Sequence, residues 1–83
     1  MKNLKWFNVI EVKYLPPTDK HGARLKLTSQ NPPSTIIISY DFYYNSTKEM
    51  AQNWLEEHGF ELIGVSKYGI TYLFFTTTNK SLR

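Results

Sequence analysis

Two proline pairs, Pro16-Pro17 and Pro32-Pro33, divide the first half of this chain into three segments. Proline has no amide N–H to give to a ladder, so each pair stops a strand. The segments between them alternate with a period of two, which is the pattern of half-buried β-structure. From Trp6 to Leu15, Ile10, Val12 and Tyr14 alternate with Glu11 and Lys13. From Arg24 to Thr28, Leu25 and Leu27 alternate with Arg24, Lys26 and Thr28. These two runs predict a β-hairpin whose long loop holds residues 16–22. From Thr35 to Tyr43, Ile36, Ile38, Tyr40 and Phe42 share one face and Ile37 lies on the other. A strand this apolar on both faces is expected near the centre of a sheet.

The period then changes from two to between three and four. Met50, Ala51, Trp54, Leu55 and His58 form one stripe, preceded by Ser46-Thr47-Lys48-Glu49 in the form of a capping box and followed by Gly59. This predicts one helix near residues 47–58, with Met50, Trp54 and Leu55 packed on Leu25, Leu27, Ile36 and Ile38. Phe60 to Lys67 and Ile70 to Thr77 read as two further strands around a tight Tyr68-Gly69 turn. The expected fold is α+β with element order β-β-β-α-β-β, an antiparallel sheet carrying one helix on one face. Length allows one small domain over residues 1–83, with residues 79–83 expected as a frayed basic tail.

Composition removes several classes of function. Cysteine is absent, so disulfides, thiolate catalysis and Cys-ligated metals are excluded. Apolar runs such as Ile36-Ile37-Ile38 fall far short of the roughly 18 residues of a membrane span. Lys2, Lys5 and Glu11 interrupt any secretory signal, which sets the expectation of a cytoplasmic protein away from membranes. His58 reads as a helix C-terminal cap. His21 has Asp19 two residues away, a pairing that can orient an imidazole. No G-x-S-x-G elbow accompanies it, so a solvated loop histidine is the simpler reading and no catalytic residue is assigned. Metal spacings and a phosphate-binding glycine loop are both missing, so no cofactor is expected.

Charge carries the remaining signal. The chain has a net charge of +3, distributed unevenly. Residues 1–30 balance at +4, residues 31–63 at −4 and the last twenty at +3. An anionic partner is drawn to the first third and repelled by the middle. Lys13, Arg24 and Lys26 alternate out of phase with their apolar neighbours and should project from one face of the first hairpin, with Lys20 and His21 on its loop. Such a ribbon can pair cations with DNA or RNA phosphates, and Trp6, Phe7 and Tyr43 could stack on exposed bases. Basic residues on an outer strand also serve to prevent edge-to-edge pairing, which is the competing explanation. Opposite the helix, Phe75, Leu73, Ile63, Val65 and Ile37 share a parity that suggests one apolar patch, open to a host protein or to a second copy in a homodimer.

Tyr14-Leu15, Pro17-Thr18, Gly22-Ala23-Arg24 and Lys26 form the pattern Y-L-x-P-T-x-x-x-G-A-R-x-K. With Tyr40-Asp41-Phe42 and the helix end Leu55-Glu56-Glu57-His58-Gly59-Phe60, this resembles a group of small proteins encoded by bacterial phages, plasmids and other mobile elements. The resemblance covers residues 9–65, and Pro16 departs from it where a glycine would suit the turn better. It implies a bacterial cytoplasmic setting and an accessory role, either nucleic-acid handling or interference with host defence. The first expectation is a non-enzymatic nucleic-acid-binding protein acting through the basic hairpin. The alternative is a protein-binding inhibitor of the anti-restriction or anti-CRISPR kind.

Overall fold

The computed structural model describes residues 4–83. They form a five-stranded antiparallel sheet with one helix on one face, an α+β fold in the expected element order. The strands are β1 (Asn8–Leu15), β2 (Arg24–Gln30), β3 (Pro33–Ser39), β4 (Leu62–Tyr68) and β5 (Thr71–Thr76), and the helix is α1 (Thr47–Glu57). Spatial order is β3-β2-β1-β5-β4, so α1 carries the chain from one edge of the sheet to the other.

Ile10, Val12, Leu25, Leu27 and Phe74 supply the sheet's side of the core, and Met50, Ala51 and Leu55 supply the helix's side. All are almost completely buried. The helix begins where the capping box places it: Ser46 Oγ accepts from the Glu49 amide at 3.1 Å. It ends in a Schellman motif, with Phe60 N donating to Leu55 O at 3.0 Å and Gly59 N donating to Glu56 O at 3.2 Å. Gly59 has φ +85°, a conformation that costs other residues a Cβ clash.

Four features differ from the sequence-based expectation. The Ile-rich strand β3 lies at an edge, and the centre belongs to β1, which pairs with β2 and β5. β3 also stops at Ser39, because Asp41 turns the chain: its Oδ1 accepts from Tyr43 N at 2.9 Å and its carbonyl from Tyr44 N at 3.3 Å. Second, Pro33 opens β3 opposite Gln30, so the Asn31-Pro32 step, which is cis, makes a two-residue turn where a longer break was expected. Third, Trp54 is only half-buried; His58 stacks on it with ring centroids 3.7 Å apart. Fourth, residues 79–83 are tethered. Leu82 is buried, its amide donates to Ser34 Oγ at 3.0 Å, and Arg83 Nε donates to Thr35 O at 3.2 Å.

Candidate nucleic-acid interface

β1 and β2 fix the register of the basic hairpin. Lys13 stands directly opposite Lys26, and Arg24 is opposite Leu15. Because side chains alternate across a sheet, the burial of Val12, Leu25 and Leu27 under the helix puts Lys13, Arg24 and Lys26 on the uncovered face. The expected grouping of these three cations therefore has a common face. Lys13 and Lys26 are exposed, while Arg24 is half-buried and its Nε is shielded from solvent with no hydrogen-bond partner among the described residues. Lys13 Nζ lies 3.2 Å from Glu11 Oε1, one position along the same face. That exposed pair is worth at most about 1 kcal/mol, and among the described residues Lys26 forms no ion pair.

Lys20 and His21 are exposed in the loop that joins the two strands. Thr18 organises this loop: its Oγ1 accepts from His21 N at 3.2 Å and from Lys20 N at 3.4 Å, and its amide donates to His21 O at 2.7 Å. These bonds hold the loop shape and leave the Lys20 and His21 side chains open to solvent. Among the described residues, no three His, Asp or Glu side chains converge as metal ligands.

The aromatic residues expected beside the cations are elsewhere. Trp6 is almost fully exposed, but it precedes β1 at the end remote from the loop of Lys20 and His21. Phe7 shares that end. Tyr43 contacts Tyr44 edge to face with centroids 5.4 Å apart, and Tyr44 lies on the helix side of the sheet. An aromatic cleft of about 430 Å³ opens there, lined by Tyr14, Tyr40, Phe42 and Tyr44 beside Ser46 and Thr47 at the start of α1. Tyr14 and Tyr40 meet edge to face at 5.6 Å, and Tyr40 and Phe42 tilt together at 4.9 Å. Parity places Tyr14 with Ile10 and Val12 and Tyr40 with Ile36 and Ile38, but the chain turns after Ser39, so no strand pattern reaches Tyr44 and the cluster as a whole was not legible.

The uncovered face also lacks the single apolar patch suggested by parity. A bulge between Leu62 and Gly64 shifts the register of β4, so Val65 pairs with Phe74 and falls on the helix face. Phe75 pairs with Val9 on the uncovered face, and Leu73 pairs with Glu11. Ile37 pairs with Lys26 near the opposite edge. Glu11, Lys13, Lys26 and Thr28 lie between Ile37 and the Leu73–Phe75 pair, so the face is an apolar strip beside a basic one.

Comparison of the chain with protein-family models, curated proteins and solved structures finds no match. Among the described residues, no helix is long and apolar enough to cross a membrane.

Proposed function

We propose that this chain is a non-enzymatic nucleic-acid-binding protein, in an accessory role to a bacterial mobile element. It binds phosphates across the uncovered face of its sheet. The supporting observation is the Lys13–Lys26 pair. Like charges directly opposite each other destabilise a sheet. A bound phosphate relieves that repulsion and satisfies both ammonium groups. Arg24, half-buried on the same face, adds a guanidinium whose outer amino groups can take a second phosphate or a base edge. Lys20 extends the positive surface around the end of the hairpin, with the His21 ring exposed beside it.

The test is a salt titration of binding to single- and double-stranded oligonucleotides. Each phosphate contact adds about 0.7 to 0.9 to the slope of log affinity against log salt. Arg24→Ala with Lys26→Ala weakens binding to every sequence and flattens that slope by roughly two contacts. A wild-type chain that binds neither oligonucleotide at low salt transfers the reading to a protein-binding inhibitor.

A further inference from the structure

We propose that the open half of the β3 edge, with the acidic groove beside it, docks an extended basic segment of a partner protein. Its groove lies on the helix side, and the site uses none of the residues assigned to nucleic acid. β3 is an edge strand. Tyr40 N donates to Ala23 O at 2.9 Å, so by alternation Ile36 and Ile38 bond inward to β2 while Thr35, Ile37 and Ser39 direct their amides and carbonyls outward. The chain's own tail covers the first part of that row, where Arg83 Nε donates to the Thr35 carbonyl. Among the described residues, nothing bonds to the outward groups of Ile37 and Ser39. An extended peptide completes such a row by adding a strand.

The groove between this edge and α1 sets the chemistry of the occupant. It measures about 230 Å³, with Ile38, Met50 and Trp54 along it and Asp41 and Glu57 among its lining. Among the described residues, no basic side chain pairs with either carboxylate. Their charge is felt locally: partial burial, then Glu57 and Asp41, push the Tyr44 phenol above its ordinary value. In an added strand, alternate side chains fall into the groove. Lysine fits there, with its stem along Ile38, Met50 and Trp54 and its ammonium at Asp41 or Glu57. The intervening side chains fall on the other face beside Ile37, which is half exposed and apolar. A Lys-apolar alternation therefore matches both faces, and the way Arg83 already donates to this edge shows it accepting a cationic donor.

The experiment titrates the full chain with two short synthetic peptides, one alternating Lys-Val and the other Glu-Val. The Lys-Val peptide is expected to bind roughly tenfold more tightly, to slow hydrogen exchange at the Ile37 and Ser39 amides and to change Trp54 fluorescence. Asp41→Asn with Glu57→Gln keeps the oxygens that accept from Tyr43 and Asn53, and it should erase the preference between peptides. Ile37→Pro removes one outward amide and no bond to β2, and should weaken Lys-Val binding roughly tenfold in a chain that still unfolds cooperatively. Equal affinity for the two peptides, unprotected Ile37 and Ser39 amides, or a preference that survives the double substitution overturns the proposal. So does protection of those amides that grows with protein concentration alone, because the occupant is then a second copy of this chain.

Discussion

Asn8 Nδ2 donates to Ser29 Oγ at 2.9 Å, and both side chains are buried. The same amide group reaches the Thr78 carbonyl at 3.2 Å, while Asn8 Oδ1 accepts from the Val9 and Asn31 amides, each at 2.9 Å. One side chain thus ties the start of β1 to the end of β2, the turn before β3 and the segment after β5. Asn8→Ala leaves several of these partly buried groups without a partner. It is expected to lower stability by about 2–3 kcal/mol, read as a lower urea midpoint at unchanged m-value. Ser29→Ala removes one neutral bond and should cost about 1 kcal/mol.

The helix should reverse the usual ranking of large and small side chains. Leu55 is fully buried, whereas Trp54 is half-buried with His58 stacked on it. Leu55→Ala is expected to cost about 2–4 kcal/mol through the lost contact and the cavity left behind. Trp54→Ala loses less buried area and leaves an open surface notch, so about 1–2 kcal/mol is expected. Unfolding of the two variants side by side checks the order.

Why the larger residue is the less buried one shows how far the sequence could be read. The stripe Met50, Ala51, Trp54, Leu55 set the helix and its inward side, because helical periodicity is local. It could not say where the stripe meets the sheet's edge. That depends on β3 taking an edge position, which is a pairing choice between segments of similar apolarity. The bulge at Leu62–Gly64 has one local sign, an isolated Gly64 inside a strand run, but that sign does not say which way the register shifts, and the shift moves Val65 from one face to the other. Lys13, Arg24 and Lys26 were legible as one face because β1 and β2 pair without a bulge. Leu82 was not legible as core: a lone apolar residue in a polar tail carries no period, and only the fold shows that it reaches the helix-side core.

Alkaline pH should expose the environment of Tyr44. Its phenol is raised above the ordinary value of 10.0 by partial burial first, then by Glu57, Asp41 and Tyr43, and the Asn53 hydrogen bond only partly offsets this. The unfolded chain therefore releases this proton at lower pH than the folded chain does. Between the two values the unfolded state holds fewer protons, so this contribution to stability is complete below pH 10 and is lost as pH rises through the folded value. Phenolate absorbance should show one tyrosine titrating late, and Tyr44→Phe should remove that phase. Asp41→Asn with Glu57→Gln should move it to lower pH; a phase that stays in place assigns the shift to burial alone.

Lys26 offers a way to separate binding from folding. It faces Lys13 across the hairpin, and among the described residues Glu11 forms its ion pair with Lys13. Lys26→Thr removes the cross-strand repulsion and places a β-branched residue in a strand, next to Thr28 on the same face. Stability is expected to rise by a few tenths of a kcal/mol, up to about 1, with the gain largest at low salt because the repulsion is screened. If Lys26 contacts phosphate, the same substitution weakens oligonucleotide binding and lowers the salt slope by about one contact. A residue retained only to keep the sheet soluble or well folded would not move the two quantities in opposite directions. Urea unfolding and oligonucleotide titration of the wild type and Lys26→Thr, each at low and high salt, give all four numbers. A more stable variant with undiminished binding removes Lys26 from the interface.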